Sequence, residues 1–178
     1  MQIIITGDVQ SGKSTLAAKL VKFLADRGVA MAGILALGLW KDDQRQGFDL
    51  VDLKTNEITP LARRRTDPDD TSITPFKFFD GGMAAGEKAL EATRCRDAAV
   101  IMVDEVGKLE LKGKGWAPSL DPLLSIGSAV HIWIVRESLV AEVCKRWNIQ
   151  TPAIVRGDHG DSLERLKALC IKEHHNDN

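Results

Sequence analysis

Two stretches of this chain combine residue types and spacings suited to phosphate chemistry. Residues 7–14 read GDVQSGKS, a full match to GxxxxGK[ST], and directly follow the apolar run Ile3, Ile4, Ile5. Gly7 and Gly12 permit a tight backbone path, so the N–H groups of Val9 to Ser14 can wrap a phosphate group while a following helix N-terminus adds partial positive charge. On this reading Gly7, Asp8, Val9, Gln10, Ser11, Gly12, Lys13, Ser14 and Thr15 bind a nucleotide. Lys13 bridges the β- and γ-phosphates and the Ser14 hydroxyl ligates Mg²⁺. The competing interpretation is a plain glycine turn with a surface lysine, which requires neither a strand before it nor an amphipathic helix after it.

The second stretch is AAVIMVDE, residues 98–105. A continuous apolar run marks a strand covered on both faces, and it delivers two carboxylates at its C-terminal end, the edge at which open α/β sheets bind ligands. Asp104 is expected to hold Mg²⁺ through water opposite Ser14, and Glu105 to orient or deprotonate an attacking water. Acidic residues that end strands are also ordinary turn formers, so the pair gains its meaning from the glycine loop. Arg136 follows the strand HIWIV at the same expected edge and is the candidate to neutralise transition-state charge; the alternative is that it pairs with Glu137 or Asp158. Lys13, Glu105 and Arg136 are thus the catalytic candidates, and Ser14 with Asp104 the metal ligands. Lys108 and Glu110 either reach the γ-phosphate side, support the loop carrying Glu105, or form an exposed ion pair. Trp40 and Trp147 have the surface to stack on a base, although tryptophan on an apolar helix face is commonly core. The four histidines show no ligand spacing.

Positioning these groups requires alternating elements. Leu16, Ala17, Leu20, Phe23 and Leu24 repeat at helical spacing over Lys13 to Arg27, with Gly28 as a left-handed cap. Val29 to Leu39, Gly47 to Leu53 and Glu57 to Ala62 read as strands with short connections, a β-meander over 29–62 inserted at one edge of the main sheet. Residues 63–75, RRRTDPDDTSITP, lack apolar periodicity and are expected to form a mobile loop. A helix over Gly82 to Cys95, a Pro-interrupted helix over 116–127, a strand over 129–135, a helix over 138–147 capped by Ser138, a strand over 152–155 and a last helix opened by Asp161 and Glu164 complete the alternation. The economical architecture is a single α/β domain over 1–173, mostly parallel with helices on both faces, and a frayed tail at 174–178.

Composition narrows the class. At 178 residues and 44% hydrophobic content the chain can bury a core without staples, while 24 Lys+Arg against 25 Asp+Glu provide no footprint for nucleic acid or an anionic membrane. The longest near-apolar stretch, Val29 to Trp40, is about half the ~20 residues of a membrane helix, and no basic leader precedes it. Three distant cysteines, Cys95, Cys144 and Cys170, fit a reducing cytoplasm.

Gly7 to Thr15, GFDLVDL at 47–53, the FKFF segment and above all DEVGKLEL at 104–111 resemble the small nucleoside-triphosphatase family known from thermophilic bacteria and, in humans, as cancer-related nucleoside-triphosphatase. The likeness runs over most of residues 2–127 and weakens beyond about 140. It implies a P-loop fold related to RecA-type and AAA-type ATPases and Mg²⁺-dependent hydrolysis of nucleoside triphosphates (ATP, GTP or others) to diphosphates with loose base preference. The chain departs from the family at Asp8, Val9 and Gln10, where Gly-Pro-Pro-Gly-like residues are usual. The family's Thr-x-Glu-x-Arg element is also not visible around Leu39 to Arg45. No NKxD guanine reader and no HRD or DFG kinase element is present. Two alternatives stay open: a small-molecule kinase with Arg63, Arg64 and Arg65 as a lid, and a nucleotide-dependent switch acting on a protein partner that the sequence does not identify.

Overall fold

The computed structural model describes residues 1–8, 10–65 and 75–174, with 172–174 described as backbone only. Expectations for Val9, for 66–74 and for 175–178 lie outside the described residues. The chain opens with β1 (Gln2–Thr6) and α1 (Lys13–Ala25), then forms β2 (Met31–Lys41), β3 (Gln44–Asp52), β4 (Ile58–Arg64) and β5 (Phe76–Phe78). Helices α2 (Asp80–Ala89) and α3 (Ala92–Cys95) lead to β6 (Val100–Val106), followed by α4 (Lys108–Leu111), α5 (Ala117–Leu124) and β7 (Val130–Val135). A 3₁₀ turn (Glu137–Leu139), α6 (Val140–Arg146), β8 (Ala153–Arg156) and α7 (Ser162–His174) end the described chain.

The described strands make one sheet in the order β5-β4-β3-β2-β6-β7-β1-β8. From β2 to β8 every pairing is parallel; from β2 outward to β5 every pairing is antiparallel. The sheet is therefore mixed, with a parallel body and an antiparallel edge, as the short connections between 29 and 62 require. Strand β2 belongs to both parts, pairing Met31 to Ile34 with β6 and Ile34 to Lys41 with β3.

Side-chain alternation explains why the parallel strands read as unbroken apolar runs. In β6, Ile101 and Val103 face the core beneath α2, α3, α5 and α6, while Val100 and Met102 face the core beneath α1 and α7. Ile4 and Trp133 share the first side; Ile3, Ile5, Ile132 and Ile134 share the second. A strand covered on both faces has no polar side to show.

Several boundaries differ from expectation, each for a local reason. The helix expected over Gly82 to Cys95 breaks at Leu90 and Glu91 into α2 and α3, and the Pro-interrupted helix is the shorter α5, preceded by α4 within what reads as polar loop. Ser138 does not cap the following helix: the chain enters through the 3₁₀ turn, with extended Arg136 as its N-cap and no side-chain cap bond. The basic cluster is not loop. Arg63 and Arg64 lie in β4, and the Arg65 N–H donates to the Pro75 carbonyl, so β4 and β5 form a hairpin stem that reaches into the segment 63–75. Phe76 to Phe78, too short for periodicity to reveal, is the outer strand of that stem.

Candidate functional site

The glycine loop owes its form to Gly12, which adopts φ +81 as the N-cap of α1 and makes no side-chain cap bond. The first bond of the helix runs from the Leu16 N–H to the Gly12 carbonyl. The amides of the first turn therefore stay available to an anion, and no acidic side chain in that turn competes for them. Lys13 extends from the same turn, and its Nζ donates to the Gly7 carbonyl at 3.0 Å and to the Asp8 carbonyl.

Beside this loop, β6 ends in a bulge. Its pairing with β7 steps from Val103↔Trp133 to Val106↔Val135, so Asp104 and Glu105 together oppose Ile134. Glu105 takes φ +59, a left-handed conformation that costs a β-carbon residue about 1–3 kcal/mol and that the surrounding packing must enforce. The bulge sends the two carboxylates to different places. Asp104 is buried: Oδ2 accepts the Ala36 N–H of β2 at 3.0 Å and Oδ1 accepts the Glu105 N–H at 2.7 Å. Glu105 is half-buried and faces a cavity of about 760 Å³ that Gln10 to Thr15, Asp104 and Arg136 also line. Gly7 and Asp8 contribute through the carbonyls that hold Lys13.

The electrostatics are those of a site short of positive charge at one point. Burial, with Glu105 adding to it, raises the Asp104 carboxyl to about 7 against the opposing pull of the Ala36 and Glu105 amides and of Arg45. Among the described residues no basic side chain bonds Asp104. A buried carboxylate satisfied only by backbone N–H groups, facing the same cavity as the half-buried Ser14 hydroxyl, suits a hard divalent cation held partly by other oxygens. Among the described residues no group of three or more His, Cys, Asp or Glu could form a cage. Burial lowers the Lys13 pKa; Arg136 and Arg45 push the same way, while Glu105 and Asp104 oppose them.

Arg136 is exposed at the cavity wall, and the pairing weighed against its role falls to a neighbour: Arg156 bonds both Glu137 and Asp158. Arg136 has no ion pair among the described residues. The lid reading for the basic cluster fails at Arg63, whose guanidinium is fixed to Asp49 at 2.8 Å and to the Phe48 carbonyl at 2.9 Å. The tryptophans divide. Trp147 is core, stacked edge-on against Trp133, whereas Trp40 is 48% exposed and lines the cavity. Glu110 is buried and supports the loop: its Oε2 accepts the Gly107 N–H at 2.8 Å and its Oε1 the Trp116 N–H at 3.1 Å, with Lys108 exposed and not its partner.

One cavity residue escaped the sequence reading. Arg45 stands opposite Trp40 in the β2–β3 hairpin, 4.0 Å from Glu105. The hairpin closes through Asp42 and Asp43, both at positive φ. An Asn-Gly turn there would have announced the register and the extension of the strands to Lys41 and Gln44; two aspartates conceal them.

The NTPase family matches this chain over residues 2–156. Nucleoside-triphosphatase THEP1 of Methanocaldococcus jannaschii is 31% identical over 127 residues, 70% of this chain and 72% of that protein. The protein of the same name from Methanothermobacter thermautotrophicus is 30% identical over 152 residues, 84% of each. Among solved structures, a human cancer-related nucleoside triphosphatase superposes with a TM-score of 0.70 at 21% identity, covering 96% of this chain and 95% of that one. THEP1 from the hyperthermophile Aquifex aeolicus gives 0.67 at 18% identity, covering 96% and 99%. These two likenesses carry the fold, and the sequence matches carry the kinship: the chain belongs to the NTPase family.

Proposed function

We propose that the protein hydrolyses nucleoside 5′-triphosphates to diphosphate and phosphate with Mg²⁺ and with loose base preference. The observation that carries this reading is the bulge at the end of β6, which turns Glu105 into the cavity that Lys13 and Ser14 share while Asp104 stays buried beside it. In this reading the amides of Gln10 to Ser14 wrap the β-phosphate, and Lys13 leaves its carbonyl partners for the β- and γ-phosphates. Ser14 and Asp104 would hold Mg²⁺, which when bound neutralises charge on the phosphate oxygens. Glu105 orients the attacking water and takes its proton as the water oxygen bonds to the γ-phosphorus and the bond to the bridging oxygen breaks. Arg136 meets the charge that develops on the transferred group. The names of the THEP1 relatives support the reaction class. Three free thiols fit a reducing compartment such as the cytoplasm.

The test is phosphate release from ATP, GTP, CTP and UTP with Mg²⁺ and no acceptor. Release from all four, abolished by EDTA, is expected. Negligible phosphate release, with diphosphate formed only when a small-molecule acceptor is added, would replace hydrolysis by phosphoryl transfer to that acceptor.

A further inference from the structure

We propose that Arg45 is the cation that grips the γ-phosphate from the β2–β3 hairpin side of the cavity that Lys13 also lines, and that triphosphate draws its guanidinium away from Glu105. The inference rests on the nucleotide-binding reading above and adds a residue to it.

The geometry points there from three directions. First, Arg45 reaches the cavity from an element independent of the glycine loop. It sits on β3 of the hairpin that extends beyond the parallel body, and its charge is felt at both Lys13 and Asp104. Second, its anionic contact is loose. The Glu105 oxygen lies at 4.0 Å, outside hydrogen-bond range, and among the described residues the buried Arg45 Nε–H has no acceptor. A guanidinium with a buried, unused donor has capacity for a better anion, and a phosphate oxygen matches its fork. Third, the side chain is supported by two rings. Arg45 lies 4.7 Å over the Trp40 ring and 4.8 Å over that of Phe48. Gly38 leaves the space beneath the stack, since a β-carbon there would come within 3.0 Å of the Trp40 Nε1 and 3.2 Å of the Arg45 Nε. Aromatic stacking restrains a long side chain without satisfying its N–H groups, which is the condition in which a cation is ready for a ligand.

The exchange has a second effect. While Arg45 faces Glu105, the carboxylate is partly neutralised as an acceptor for water. When the guanidinium turns to the γ-phosphate, Glu105 is released to orient the nucleophile. A diphosphate, lacking the γ-group, leaves the pair together.

Arg45→Met keeps an apolar stem in the Trp40–Phe48 stack, and Arg45→Lys keeps the charge without the fork. Affinities for a non-hydrolysable ATP analogue and for ADP, each with Mg²⁺, are measured by calorimetry beside turnover. Arg45→Met is expected to hold ADP within about twofold of wild type while losing about tenfold for the triphosphate analogue and about 10²-fold in turnover. Arg45→Lys should recover part of the affinity and less of the turnover. A merely structural arginine would weaken both nucleotides alike or neither; either result overturns the proposal. If the unaltered protein binds neither nucleotide, the parent reading falls and this one with it, whereas an Arg45→Met protein that binds and turns over like wild type removes Arg45 alone.

Discussion

At the scale of single residues, the proposed mechanism assigns some groups to binding and others to the chemical step, and substitutions should separate them. Lys13 is the helix-borne cation of the cavity, and burial already lowers its pKa. Lys13→Ala should abolish turnover and weaken triphosphate more than diphosphate, because in the proposed binding mode the lost cation bridges the β- and γ-phosphates. Equal losses for the two nucleotides, measured by calorimetry, would place the lysine elsewhere. Glu105 predicts the complementary pattern. Glu105→Gln keeps volume and hydrogen-bonding capacity but removes basicity, so turnover should fall by about 10²- to 10⁴-fold while binding of the Mg²⁺-triphosphate persists. Asp104→Asn should instead weaken the Mg²⁺-dependent part of binding together with the rate. Wild-type turnover in Glu105→Gln would remove that residue from the chemistry.

At the scale of elements, what places Glu105 is a strand that must stop pairing at the right residue. On the other side of β6, Gly33 of β2 holds the same strand close: at φ +101 a β-carbon there would fall 2.0 Å from the Met102 carbonyl oxygen. Gly33→Ala combines an unfavourable backbone conformation with overpacking of a ladder buried on both sides, and should cost more than about 2 kcal/mol. For a chain of this size that corresponds to a melting temperature lower by roughly 4–8 °C. An unchanged melting curve would mean that the two strands separate freely at this point. Much of this level is legible in sequence, because parallel strands and amphipathic helices announce themselves by burial: Ile3 to Ile5, Val100 to Val103 and the Leu16–Leu20–Leu24 face are all core. Short or irregular features are not, since one residue of bulge at Asp104 and Glu105 or three residues of β5 leave no period to detect. Arg45 was hidden by the same limit. Its place beside Trp40 depends on a hairpin register that two consecutive aspartates at positive φ do not advertise.

At the scale of the whole molecule, a site that concentrates charge near one buried carboxyl should leave its mark on stability. Glu110 and Asp104 both titrate above their ordinary values because burial disfavours their charged forms, Asp104 at about 7. The folded chain then binds protons that the unfolded chain has released. Between the unfolded Asp104 pKa of 3.8 and the folded value of about 7, the contribution of this carboxyl to stability is therefore expected to fall as pH rises. Depressed carboxylates elsewhere, such as Asp158 paired with Arg156, slope the opposite way, so the total curve does not isolate the effect. The difference between wild type and Asp104→Asn does. Because asparagine never ionises, the variant should gain on wild type steadily between about pH 4 and pH 7, by an amount of order a few kcal/mol, and the gap should level off above. Urea unfolding of both proteins at intervals across that range, with EDTA present, measures it directly. Parallel curves would show that Asp104 is ionised throughout and that its burial is compensated within the fold. Adding Mg²⁺ with ADP should restore wild type relative to Asp104→Asn above pH 7, since a ligand that binds only the folded chain through the ionised carboxylate stabilises it by mass action. Failure of that restoration, with nucleotide binding intact, would separate Asp104 from the metal.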